Sequence, residues 1–235
     1  AGVRPIGSHS IEEFEAAGGA RALMRQLAPL LDTGALTVTG GTVADNLRGV
    51  QVQDADVIRP LDRPVAPLPA IVLLRGNLAP ESGLIKTGIV ERKVRRFTGP
   101  AVCFWTSDAA IAALKNGAIV PGQVIVMRGA GACGGPAMGG GASRVVFALD
   151  GAGLGDQVAL LTDGHLSGLV CKGLVVAEVS PEAALGGPLG LVRDGDRITV
   201  DLDQRRLDVD LSETELQTRR VGWQAPPAQH DRGWL

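Results

Sequence analysis

Residues 162–168 read Thr-Asp-Gly-His-Leu-Ser-Gly and follow directly on an apolar run, residues 157–161. An apolar run that breaks into Asp-Gly reads as a buried strand ending in a sharp turn. The turn presents one hydroxyl, Ser167, with Gly164 before it and Gly168 after it. Glycine tolerates unusual backbone angles and lets a ligand approach closely. A serine held this way is a candidate reactive group. The nucleophile elbow of hydrolases, G-x-S-x-G, is out of register, because Gly164-His-Leu-Ser167 places the serine one position late. His165 stands two residues before the serine, and Asp163 is too local to serve as the third member of a triad. The plain reading of His165 is a loop residue hydrogen-bonded to backbone.

A second chemistry-bearing stretch is glycine-rich: residues 129–141 read Gly-Ala-Gly-Ala-Cys-Gly-Gly-Pro-Ala-Met-Gly-Gly-Gly. It follows an expected strand, so a phosphate-cradling loop has to be considered. The string Gly129-Ala-Gly131-Ala-Cys-Gly134 matches G-x-G-x-x-G, but Gly135-Pro136 is a poor start for a long helix. The densest basic cluster, Arg92, Lys93, Arg95 and Arg96, reads as a solvated face or as a contact for an anionic ligand or subunit.

Composition bounds what these residues can belong to. The 235 residues suit one large domain or two small ones. Hydrophobic residues make up 45% and charged residues 20%, which argues against global disorder. A net charge of −2 with no long basic block argues against a dedicated nucleic-acid binder. Aromatics are only 3%, so the core has to come from Val, Leu, Ile and Ala. Cys103, Cys133 and Cys171 are far apart, odd in number and without C-x-x-C spacing, which favours a reducing compartment. No apolar run approaches the ~20 residues of a membrane span. The N-terminus lacks signal-peptide regions, and the expected location is cytoplasmic.

The elements that must position these groups can be read from periodicity. Ser10 and Glu13 form a capping box, and residues 20–31 form a helical stretch with Leu23, Met24, Leu27 and Leu30 on one side. Residues 35–39 read as a short strand and 42–47 as a helical turn. Residues 51–69, with four prolines, read as a surface connection. Strands are expected at 70–74, 101–105, 123–127, 157–161, 174–179, 197–202 and 206–211. The last two alternate, placing Ile198, Val200 and Leu202 with Leu207, Val209 and Leu211 on one face of a hairpin. Residues 107–116 form a helix, and Ser212 with Glu215 caps another running to about Arg220. The expectation is an α+β fold, β-rich and barrel-like, with flanking helices. A doubly wound sheet is disfavoured because helices do not alternate regularly with strands. The organisation read is residues 1–69 as N-terminal helices and linker, 70–223 as the barrel-like domain, and 224–235 as a loosely held tail.

Several segments, in order, resemble one family. They are Thr37-Val-Thr-Gly-Gly-Thr-Val-Ala-Asp-Asn-Leu47, Arg75-Gly-Asn-Leu-Ala-Pro-Glu-Ser-Gly-Leu-Ile-Lys86, Phe97-Thr-Gly-Pro-Ala101 and Ile119-Val-Pro-Gly-Gln-Val-Ile-Val126. Gly134-Gly-Pro-Ala-Met138, Thr162-Asp-Gly-His-Leu-Ser-Gly168, Val179-Ser-Pro-Glu-Ala-Ala-Leu-Gly-Gly-Pro188 and Asp194-Gly-Asp-Arg-Ile198 continue the series. Together they resemble the dihydroxyacid, phosphogluconate and sugar-acid dehydratases, from about Ser10 to Trp223.

The resemblance implies a two-domain hydro-lyase of which this chain is the C-terminal, swivelling β/β/α barrel-like module. It implies that an N-terminal domain outside this chain carries an iron–sulfur cluster and a magnesium ion, with neither bound by this chain alone. The reaction implied is removal of water from a 2,3-dihydroxy acid, a sugar acid among the candidates, to give a 2-keto acid through its enol, with amino-acid biosynthesis as one expected setting. Ser167 falls on the family's proposed base. Asn77, Lys86, Asp163, Gly164, His165 and Gly168 fall at expected substrate-binding positions. A homodimer or tetramer is implied, with no nucleic-acid or membrane partner. There are departures: Gly139-Gly-Gly141 follows Met138 where the family has a magnesium-binding glutamate. His165-Leu166 replaces Arg-Phe, and Ala177-Glu178 replaces Gly-His. These point to the sugar-acid side of the family, a divergent substrate or lost activity. The start at Ala1-Gly-Val-Arg4 reads as a mid-protein segment, and the isolated chain is expected to be inactive. The alternative reading is a non-catalytic fragment or an assembly and binding module.

Overall fold

The computed structural model describes residues 1–4, 7–65, 69–87, 94–168, 170 and 173–224. Arg92 and Lys93 of the basic cluster, Cys171 and residues 225–235 of the expected tail lie outside the described residues. The chain divides into two compact units, Ala1–Pro69 and Ala70–Leu235.

In the first unit, Ser10 and Glu13 close the expected capping box at the start of α1 (Ile11–Ala16). Helix α2 (Gly19–Leu27) is shorter than its periodicity suggests. It tightens into a 3-10 turn, Ala28–Leu30, where Pro29 cannot continue the ladder. Residues 35–39, expected as a strand, form a turn instead. Thr37 and Thr39 turn their hydroxyls onto each other and onto Asn46, and Gly40 takes a left-handed φ of 79°. Short polar side chains that bond locally compete with a strand ladder. Helix α3 (Val43–Asn46) follows, capped by Thr42 and Asp45. The proline-bearing segment has no helix or strand, but it is not purely surface. Val57 and Ile58 from it pack on Ala17 and Ala22 to form the unit's small core.

The second unit is an eight-stranded mixed sheet bent nearly into a barrel. Its strands are β1 (Ile71–Leu74), β2 (Ser82–Lys86), β3 (Arg96–Phe104), β4 (Val124–Met127), β5 (Ala159–Thr162), β6 (Leu174–Ser180), β7 (Arg197–Asp201) and β8 (Arg206–Val209). The spatial order is β1-β2-β6-β5-β4-β3-β7-β8. Strand β2 is absent from the sequence reading, since its Gly83 and flanking polar residues hide the alternation. The four central strands β3, β4, β5 and β6 are parallel, and antiparallel ribbons flank them.

Parallel strands need crossovers, and helices supply two of the three. Helix α4 (Ser107–Lys115) was legible from its cap. Helix α5 (Gly140–Gly151) was not, because glycine fills its first turn. Val124 and Val126 of β4 and Ala159 and Leu161 of β5 point into the barrel beside Leu74, Ile85, Ile198 and Leu207. Their alternates, Ile125, Met127 and Leu160, face outward against Val145, Val146 and Leu149 of α5. Strands buried on both faces read as unbroken apolar runs. The short α6 (Pro188–Leu191) and the final α7 (Glu213–Val221) complete the unit. No helix among the described residues is long and apolar enough to cross a membrane.

The sheet is closed by the segment after β1. Arg75 bridges to Arg206, donating its N–H to the Arg205 carbonyl at 3.0 Å. Gly76 passes so close to β8 that a Cβ there would lie 2.0 Å from the Leu207 oxygen. Asn77 then acts as a strand residue with its side chain. Its Nδ2 donates to the Val209 carbonyl and its Oδ1 accepts from the Val209 N–H, both at 2.8 Å. Removing that pair strands two part-buried backbone groups. Asn77→Ala is therefore expected to lower stability by about 1–3 kcal/mol, read as a lower urea midpoint with an unchanged slope. An unchanged midpoint would mean the barrel closes without this amide.

Candidate active site

Three loops leave the C-terminal ends of the parallel strands β4, β5 and β6, and they converge. A buried carboxylate joins them. Asp163, directly after β5, is 3% exposed. Its Oδ2 accepts from the N–H groups of Gly129 and Ala183, both at 3.0 Å, and its Oδ1 from that of Ala130 at 2.9 Å. Burial raises the carboxyl's pKa, and the three N–H groups oppose that rise. Asp163 is thus a brace holding the loops, with its oxygens turned to backbone.

A second carboxylate does the same for the rest of the glycine-rich loop. Glu182 accepts from the N–H groups of Ala132 and Cys133 at 2.9 Å and of Gly134 at 3.3 Å. The approach requires glycine at position 131, where a Cβ would lie 2.2 Å from the Glu182 carboxyl carbon. Converging N–H groups of this kind form an anion-binding nest. The anion in this nest belongs to the protein's own Glu182. The sequence pointed to the nest through its glycines but not to the side chain that fills it. Glu182 lay within a quoted motif without being singled out.

The Ser167 turn packs on the far end of that loop. Leu166 and Val170 anchor it on the outer core, leaving Ser167 and Gly168 between them. The Ser167 carbonyl accepts from the Val170 N–H at 3.1 Å and from Lys86 Nζ at 2.8 Å. Lys86 Nζ also lies 3.4 Å from the Leu166 carbonyl. Lys86 ends β2, next to Ile85, whose strand partner is Val176 of β6, and its side chain reaches the turn from there. Gly139, the N-cap of α5, touches the Ser167 backbone, and a Cβ there would lie 2.5 Å from its nitrogen. The first turn of a helix carries N–H groups with no intrahelical acceptor and the positive end of the macrodipole. Space beside Gly140, Gly141 and Gly168 is open: a Cβ at any of them would meet nothing within 4 Å.

The structure therefore brings Ser167, Lys86, Gly168 and the Asp163-Gly164 bend into one region. Gly164 is engaged as backbone: its carbonyl accepts from Glu178 N–H at 2.9 Å, and a Cβ would meet Ala130 at 2.9 Å. His165 is exposed beside the turn. Asn77 is not brought there; both of its polar atoms are spent on the barrel seam. In the basic cluster, Arg95 ion-pairs with Asp203 and Arg96 lies 3.7 Å from Asp201, as a solvated face would.

Among the described residues no three His, Cys, Asp or Glu side chains converge as a metal site. Cys103 is half-buried in β3 with its Sγ 3.7 Å from the Val192 carbonyl, and burial pushes its thiol up to about 12. Cys133 is exposed on the glycine-rich loop.

The profile of the dihydroxy-acid/6-phosphogluconate dehydratase C-terminal family matches residues 56–235. The chain belongs to this family. It is 43% identical over 239 residues to the dihydroxy-acid dehydratase of Ignicoccus hospitalis, covering 100% of this chain and 43% of that protein. It is 44% identical over 230 residues to the dihydroxy-acid dehydratase of Anaeromyxobacter dehalogenans, covering 96% and 40%. For that of Acetivibrio thermocellus it is 42% over 237 residues, covering 98% and 42%. The chain thus spans about two-fifths of the length of the curated relatives it matches.

The two described cysteines should differ in reactivity. Near pH 8.5, where an ordinary thiol is about half ionised, Cys103 stays protonated and shielded. Iodoacetamide followed by peptide mapping is expected to find Cys133 alkylated and Cys103 intact. Equal labelling of the two would show that the β3 thiol is open to solvent.

Proposed function

We propose that this chain is the C-terminal portion of a hydro-lyase that converts a 2,3-dihydroxy acid to a 2-keto acid, with Ser167 as the base. The relatives' names favour a dihydroxy acid, the reaction type of branched-chain amino-acid synthesis, over a phosphogluconate or sugar acid. The observation that carries the reading is the setting of Ser167. Its backbone is packed against the N-cap of α5 and its carbonyl is held by Lys86.

A serine hydroxyl is a weak base unless its alkoxide is stabilised. The α5 macrodipole and the Lys86 ammonium both favour negative charge at the turn. Ser167 Oγ takes the proton from C2 of the substrate. The C2–H electrons form the C2–C3 double bond, and hydroxide leaves C3. The enol then becomes the ketone as C3 is reprotonated, and its hydroxyl proton ends in the released water. The open space beside Gly140, Gly141 and Gly168 is where a substrate carboxylate would find the helix N–H groups. Asp163 and Glu182 position the two loops and do not touch the substrate. The iron–sulfur cluster and magnesium are assigned to the portion of the relatives that this chain does not span. A homodimer or tetramer is part of the same proposal.

The test is turnover of a dihydroxy acid by the full-length enzyme, read as keto acid formed. Ser167→Ala is expected to lower kcat by about 10²–10⁴-fold with a small change in KM. Full turnover by that variant would overturn the base assignment. Lys86→Met removes a charged hydrogen-bond donor and is expected to lower kcat by about 10–100-fold. The 235-residue chain alone is expected to be inactive; keto acid from it alone would refute the division of labour.

A further inference from the structure

The first unit leaves several large apolar side chains exposed. Its buried hydrophobics among the described residues are Ala17, Ala22, Leu47, Val57 and Ile58, two of them alanines. Outside this small core, Leu30 is 72% exposed, Leu36 81% and Val38 107%, with Met24 and Leu31 partly exposed beside them in sequence. A unit this small cannot hold itself together on so little apolar burial.

The exposure is not that of a loose end. Thr37, Thr39 and Asn46 lock the 37–41 turn through side-chain bonds of 2.8–3.0 Å. The Thr37 N–H donates to the Gly41 carbonyl at 3.0 Å. This rigid turn holds Val38 out at its tip. Beside it lies a concavity of about 520 Å³ between α2, the turn and α3, lined by Met24, Val43 and Leu47 with Arg21 at its edge. A knob and a hollow held rigidly in water mark a contact surface.

The longer relatives contain sequence that could cover it. The family profile begins at residue 56, whereas the similarity to the Ignicoccus hospitalis enzyme covers 100% of this chain. Most of the first unit is therefore shared with the full-length relative yet lies outside the C-terminal family profile. More than half of that relative's length lies outside the match.

We infer that the first unit is not a linker but the closing piece of the preceding domain. The face formed by Leu30, Leu36, Val38 and the Met24 hollow is a core interface filled by the upstream part of the longer polypeptide. This holds whatever the role of Ser167, because it rests on apolar surface and on the extent of the match.

Val38→Cys gives a direct readout by peptide-resolved maleimide labelling, with each rate normalised to the same protein unfolded in urea. The variant is compared in this chain and in a chimera carrying the upstream part of the Ignicoccus hospitalis enzyme. Labelling is expected to be at least tenfold slower in the chimera. Rates within twofold of each other would overturn the inference. Slow labelling in this chain alone, with a doubled mass by light scattering, would also overturn it and assign the face to a second copy. Hydrogen exchange on the natural full-length relative guards against a misfolded chimera. Its aligned turn should exchange at least tenfold more slowly than residues 37–41 of this chain, and equal exchange refutes the interface.

Discussion

The carboxylate of Asp163 accepts three backbone N–H groups, two from the loop after β4 and one from the turn after β6. A buried carboxylate is costly without such partners, and hydrogen bonds to a charged group contribute about 1.5–3 kcal/mol each. One side chain at the end of β5 therefore ties together the loops of three adjacent parallel strands. Glu182 extends the same device along the glycine-rich loop. With both in place, Gly139 arrives against Ser167, and the N-terminus of α5 faces the serine turn.

The barrel makes that convergence possible. In-register parallel pairing of β4 with β5 and of β5 with β6 brings their C-terminal ends to one side, where loops from different strands can meet. The antiparallel ribbons serve different ends. The β7–β8 hairpin closes on the segment after β1 through Arg75, Gly76 and Asn77, and β2 carries Lys86 to the serine turn. Asn77 and Lys86 come from one quoted motif, yet one closes the barrel and the other reaches the site.

Much of the fold could be read in the residues. Every strand with an apolar run or clean alternation was visible, as were the capped helices α1, α4 and α7. Two of the elements missed share a cause. Strand β2 and helix α5 both contain glycine where propensity argues against them, and packing against the sheet overrides that preference. The turn at 37–41 erred in the other direction: β-prone threonines were diverted by their own hydroxyls. At the site, the serine and the two glycines flanking it were legible from type and spacing. The role of Asp163 as a brace was not, nor was Glu182 as the occupant of the glycine nest, because each acts on backbone groups 20 or more residues away.

By itself the sequence determined the family, the β-rich class, the candidate serine and the need for glycine near it. These depend on residue identity and on local period. Only the tertiary structure decided that Asn77 closes the barrel, that Lys86 holds the Ser167 carbonyl and that Asp163 and Glu182 fill the loop nests. Those assignments depend on which backbone N–H and C=O groups are left unpaired where distant segments meet, and chain order does not specify that.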